Sequence, residues 1–140
     1  MRVLQIISAL IVLALSQMLH ADDTKHGVVY HLAEESQAIR AFHNATNHLA
    51  ADKHVQITFV ALSGGLQALV ADAADEKGRL YAPFIDELSM AGVKFKACKN
   101  TMRAMNLNLD DLNFGVEEVP SGVMEIARLQ NEEGFAYIRP

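Results

Sequence analysis

Cysteine is almost missing from this chain: Cys98 is the only one in 140 residues. A single thiol excludes an intrachain disulfide, a CxxC redox pair and a cysteine-rich zinc cluster. Positive charge is in deficit as well, with 12 Lys and Arg against 17 Asp and Glu and a net charge of −5. That balance argues against a general nucleic-acid binder, which needs a basic surplus. No internal repeat, low-complexity tract or interdomain linker breaks the chain. What is present is 51% apolar and only 21% charged residues, the composition of one folded domain with a packed core.

The first 21 residues carry one formal charge, Arg2, followed by the apolar run IISALIVLAL at 6–15. The run has the length of a signal-peptide h-region and falls short of the roughly 20 residues of a spanning helix. Leu19, His20 and Ala21 form a tolerable cleavage site. Residues 1–21 are therefore expected to be a cleaved signal peptide, giving a periplasmic or secreted protein with no stable membrane insertion. Removal leaves residues 22–140 as the domain and, by the loss of Arg2, a net charge of −6. In an oxidising compartment a lone thiol is buried, paired with another chain, or kept for its reactivity.

Along 22–140, β-branched runs alternate with segments of helical period. Strands are expected at 27–32, 55–62, 93–97, 116–119 and 135–138, and helices at 34–52, 67–74, 83–91, from Asn100 or Thr101 to about Asn106, and at 123–131. Pro83 suits a first helical turn, Gly92 a C-terminal cap and Ser121 an N-terminal cap. Strands separated by helices cannot be hairpins, so the fold class is α/β: a mainly parallel five-stranded sheet with helices on both faces.

In such sheets ligands bind beyond the carboxyl ends of the strands. Those positions hold His31, then Ser63, Gly64 and Gly65, then Cys98, Lys99, Asn100 and Thr101, then Pro120, Ser121 and Gly122. Cys98 lies in a segment with Lys94, Lys96, Lys99 and Arg103 and no acidic residue between Gly92 and Leu109. Cations and a helix N-terminus favour the thiolate, the nucleophilic form. Lys94 and Lys96 share a strand face and are expected to point away from Cys98, leaving Lys99, Arg103 and the helix dipole to act on it. His31 approaches Cys98 if strands one and three are neighbours, which would set a base beside a thiol; otherwise it simply ends a strand with a satisfied hydrogen bond. The Ser-Gly-Gly turn lacks Walker and GxGxxG spacing, so it predicts no nucleotide site.

Other features read as structural. His43 and His48 are five apart and do not share a helix face, so no metal site is expected. Asp110 with Asp111, and Glu117 with Glu118, are adjacent pairs that read as solvated charge. The sequon at Asn44 to Thr46 falls inside a helix, and Met102 and Met105 at helical spacing suit the core.

The segment GVKFKACKNTMRAMNL, with its cysteine after a strand and an Asn-Thr pair opening a helix, and the closing VEEVPSGVMEIARLQNEEGFAYIRP resemble the DsrE/DsrF-like family of sulfur-relay proteins. The resemblance runs from KHGVVYHL to the C-terminus. It implies a three-layer α/β/α fold, assembly into homotrimers or homohexamers, and sulfur carried as a cysteine persulfide between donor and acceptor proteins. By position Cys98 matches the persulfide cysteine, and no metal or organic cofactor is implied. His31, Ser63, Gly64, Gly65, Lys99, Asn100, Thr101 and Ser121 are the candidate binding residues around it. The rival expectation is a non-catalytic module that binds a small ligand or a partner while Cys98 only packs. Reductase or peroxidase chemistry is disfavoured, because no resolving cysteine exists.

Overall fold

The structure, a computed structural model, describes residues 26–140. The expected signal peptide at 1–21 lies outside the described residues. Among these, five strands form one sheet: β1 (Gly27–Leu32), β2 (Gln56–Ala61), β3 (Lys94–Cys98), β4 (Glu117–Val119) and β5 (Ala136–Ile138). Every pairing is parallel and the order is β4-β3-β2-β1-β5. The helices are α1 (Ala38–Ala51), α2 (Ala82–Met90), α3 (Lys99–Ala104) and α4 (Gly122–Glu132). No described helix is long and apolar enough to cross a membrane.

The order explains the layers. From β1 to β4 each connection steps the same way across the sheet, and a right-handed crossover then puts α1 and α2 on one face. The return from β4 to β5 runs the opposite way, so α4 falls on the other face. Strand alternation supplies both cores. Tyr30, Ile57, Phe59 and Phe95 pack with Phe42 of α1 and Ile85 of α2 on the first face. Val29 and Val60 pack with Ile126 and Leu129 of α4 on the second.

Local sequence sets the boundaries. Ala38, Phe42 and Ala45 of α1 are fully buried at helical spacing, which orders fourteen residues by their packing. Pro83 sits in the first turn of α2, and Gly92 takes φ +90 just beyond that helix, the left-handed turn expected of a glycine there. The Ser121 hydroxyl accepts the Met124 N–H at the start of α4.

Two expectations fail locally. The helix expected at 67–74 is instead a 3-10 segment at Ser63–Leu69, followed by irregular chain held by bridges from Val70 to Leu112 and from Ala74 to Leu80. Gly65 fixes where that segment starts: a Cβ there would stand 2.1 Å from the Leu32 carbonyl oxygen. The turn is pressed against the end of β1, and the Gly65 N–H donates to Ala33 O at 2.9 Å. Asp111, read with Asp110 as solvated charge, instead closes a capping box with Asn108 in a 3-10 turn at Leu109–Asp111.

Candidate functional site at the carboxyl edge of the sheet

Connections leave β3 and β4 toward opposite faces, α3 joining the first layer and α4 the second. Their carboxyl ends therefore diverge and frame a crevice at the switch point of the topology. Cys98 is the last residue of β3 and stands directly before α3. Its register partner on β4 is Val119, three residues before α4 opens at Gly122.

The thiol is turned toward backbone N–H groups. Burial pushes the Cys98 pKa up, but N–H groups of Gly122, Thr101 and Asn100 and the Thr101 hydroxyl together outweigh it, and the net shift is downward. No single one of them makes an N-cap hydrogen bond of ordinary geometry to the sulfur; the effect is that of several dipoles converging. Gly122 permits the approach, since a Cβ on it would lie 3.1 Å from Cys98 Cβ and 3.1 Å from Leu62 Cδ2. The β2 loop joins the same site through Ser63, whose N–H donates to Thr101 Oγ1 at 3.1 Å. Beside it opens a groove of about 510 Å³ lined by Ser63, Gly64, Asn100, Thr101, Ala104 and Met105, all uncharged.

Several expectations about this site are corrected. Strand β2 lies between β1 and β3, and the row across the sheet is His31, Val60, Lys96. His31 is thus two strands and two residues away from Cys98, roughly 10 Å or more at ordinary strand spacing, so it supplies no base to the thiol. Its Nδ1 instead shares a 2.7 Å hydrogen bond with the Tyr137 hydroxyl, while Nε2 is buried without a partner. Burial, reinforced by the Arg139 charge, lowers its pKa.

Lys94 and Lys96 do not point away from Cys98. Residues 94, 96 and 98 are of one parity and share the α4 face, opposite Phe95 and Ala97. Lys96 Nζ is engaged, however, by Glu125 Oε1 at 2.5 Å, and Lys99 Nζ by Glu118 Oε1 at 2.5 Å. Acidic residues brought in from β4 and α4 thus neutralise two of the four cations, and N–H dipoles do what the lysines were expected to do.

Ser121 caps α4 with its hydroxyl. Gly65 allows close approach of the β1 end and not of a ligand. Gly122, which sequence reasoning placed at the strand end without singling out, does reach the thiol; its only signal was a glycine directly after a Ser cap. Among the described residues no group of His, Cys, Asp and Glu side chains could hold a metal ion.

The family model for the DsrE/DsrF-like family matches residues 27–140. A solved structure titled as a protein of unknown function, MTH1491 from Methanobacterium thermoautotrophicum, is 41% identical, covering 82% of this chain and 99% of that one with a TM-score of 0.74. The ychN protein from E. coli is 16% identical over 84% of this chain and 100% of its own, with a TM-score of 0.66, and shares the fold. The comparison with curated proteins gave no match.

Proposed function

Because this chain belongs to the DsrE/DsrF-like family, we propose that it is an exported, homo-oligomeric sulfur carrier in which Cys98 holds the sulfur as a persulfide. The observation that carries this reading is the placement of the one thiol at the end of β3, directly before α3 and against Gly122 at the start of α4, where its pKa is shifted downward. Such a setting favours the thiolate that must attack, and favours equally the anionic persulfide that results.

The Cys98 thiolate attacks the outer sulfur of a donor persulfide, R–S–SH. A Cys98–sulfur bond forms, the donor's S–S bond breaks, and its electron pair leaves as R–S⁻. An acceptor thiolate then attacks the outer sulfur of Cys98–S–SH and takes it, returning the Cys98 thiolate. Each half-reaction exchanges one S–S bond for another, so no outside oxidant or reductant is required.

One observation favours the rival, a binding module in which Cys98 packs: the residue is only 5% exposed. Handover separates the two. Protein charged with a persulfide donor, freed of excess reagent and mixed with a small acceptor thiol should release its sulfur in proportion to Cys98, and Cys98→Ser should release none. Equal release by both proteins leaves the packing role.

A further inference from the structure

At the end of β3 away from Cys98, the sheet and α4 part to leave a second cavity, of about 380 Å³. Thr58, Lys94 and Lys96 form its floor, and Arg128, Leu129 and Glu133 its roof. Lys94 lies four residues before Cys98 on the same strand, roughly 13 Å along it, so this is not the thiol site.

Register builds the floor. Thr58 pairs with Val29 on one side and with Lys94 on the other. By strand alternation it shares the α4 face with Val60, in the row that packs on Ile126 and Leu129. A hydroxyl in that apolar row is out of place, since a valine has the same shape and leaves no buried donor to satisfy. Thr58 is only 3% exposed, and its hydroxyl bonds to no described residue. It borders the cavity, where a partner for it has room.

The cations leave donors over as well. Lys96 gives one of its three N–H groups to Glu125 Oε1 at 2.5 Å. Arg128 gives Nε and Nη2 to Glu125, and Nη1 to Glu133 at 2.6 Å, so the acidic side chain in the roof is already paired. Lys94 is exposed and forms no ion pair with any described residue, which leaves its whole ammonium group to the cavity. N–H and O–H donors thus outnumber the acceptors that face them, and an acceptor-rich ligand restores the balance. The carboxyl end of α4 opposes an anion with a partial charge of about one half, less than that of a single ammonium group in contact with it.

We propose that this cavity binds a tetrahedral oxyanion group, phosphate or sulfate, with Lys94 and Lys96 as its cationic donors and the Thr58 hydroxyl as its neutral one. Donors on three side chains and two strands suit a group with at least three oxygens better than a carboxylate with two. The cavity falls in the size range of small-molecule sites and holds more than a bare ion, so the free ion and an organic ester are two sources of the same group. The site is separate from the persulfide reading and stands without it.

Equilibrium dialysis of the purified protein against radiolabelled inorganic phosphate tests the assignment, in chloride at constant ionic strength so that general screening is fixed. Saturation at one phosphate per chain is expected. Unlabelled glycerol 3-phosphate is the competitor: displacement at lower concentration than unlabelled phosphate identifies an ester as the source, and displacement only at higher concentration the free ion. Lys94→Ala should weaken binding about tenfold or more, the loss of a charged hydrogen bond, and Thr58→Val about fivefold, the loss of a neutral one. Lys53→Ala, which removes an exposed lysine outside the cavity, should bind like the parent. The assignment is overturned by the lack of saturable binding, by parental affinity in Lys94→Ala or in folded Thr58→Val, or by equal weakening in Lys94→Ala and Lys53→Ala. Lys94 is exposed and unpaired, so its variant folds and decides the matter even where Thr58→Val does not.

Discussion

Cys98 and Gly122 meet across the two loops that leave the sheet in opposite directions: a Cβ built on Gly122 would stand 3.1 Å from the Cys98 Cβ. The contact joins the end of β3 to the start of α4 and brings a helix-opening N–H to the sulfur. Gly122→Ala should push α4 outward by a few tenths of an ångström. Leu62 Cδ2 can rotate away, whereas Cys98 Cβ at 3.1 Å and Leu62 Cβ at 3.3 Å are each one bond from the main chain. The expected outcome is a stability loss of about 1 kcal/mol with a higher thiol titration midpoint; thiolate absorbance checks it, and an unchanged midpoint would show that the Gly122 N–H does not act on the sulfur.

The lowered Cys98 pKa has a consequence for stability against pH. A group that ionises more easily when folded stabilises the fold only once ionised. Its contribution is absent below the folded pKa, grows between the folded and unfolded values, and is complete above the unfolded one. The stability difference between the parent and Cys98→Ser, measured by denaturant unfolding under reducing conditions, should therefore move in favour of the parent as pH rises through the thiol range. A difference that shrinks with rising pH would mean that burial dominates at the sulfur.

Glu125 offers a second pH window. Its carboxylate is 10% exposed and binds both Lys96 at 2.5 Å and Arg128 at 2.8 Å. The Arg128 hydrogen bonds first, then those of Lys96, outweigh burial and hold its pKa at about 2. The stability this gives is full above the ordinary glutamate value and is lost as pH falls from there toward about 2. Glu125→Gln takes the carboxylate away from both Lys96 and Arg128, whose side chains are 14% and 35% exposed, so it should cost about 3 kcal/mol at neutral pH and flatten the acid limb of the stability profile. Urea unfolding at neutral pH and at a series of lower pH values down toward about 2 measures both effects.

Gly65→Ala tests the turn that ties β2 to β1. The new Cβ would fall 2.1 Å from one backbone atom, Leu32 O, and 2.4 Å from another, Leu32 C. No side-chain rotation relieves that clash, so the loss should reach about 3 kcal/mol or more. Gly64→Ala, whose nearest neighbour would be Ala33 O at 3.7 Å, is its control and should remain within about 1 kcal/mol of the parent. Thermal melts of the pair decide it.

Much of the fold was legible because period and topology reinforce one another. The alternating run GVVYHL and the α1 face of Ala38, Phe42 and Ala45 could only become a strand and the helix covering it. Parallel pairing followed from connection length. Strand order did not, since no local signal tells whether β3 lies beside β1 or beyond β2, and the pairing of His31 with Cys98 failed on that point. The charge around the thiol was misjudged for the same reason. Glu118 and Glu125 are 19 and 29 residues from the lysines they bind, distances in sequence closed by the pairing of β4 beside β3 for the first and by the returning helix α4 for the second. Cys98 itself was legible, because a lone cysteine at a strand's carboxyl end occupies the position where open parallel sheets bind ligands. The contact between Ser63 and Thr101 was not, because it depends on one N–H made available by a left-handed residue.

The central claim is that Cys98 takes up sulfur, and intact mass tests it most directly. After treatment with a persulfide donor under native conditions, the protein should gain the mass of one sulfur atom. The gain should map to the peptide bearing Cys98, be reversed by a reductant, and be missing in Cys98→Ser. A parent protein that gains no sulfur, and whose thiol also resists alkylation until the chain is unfolded, would contradict the account and leave Cys98 as a packing residue.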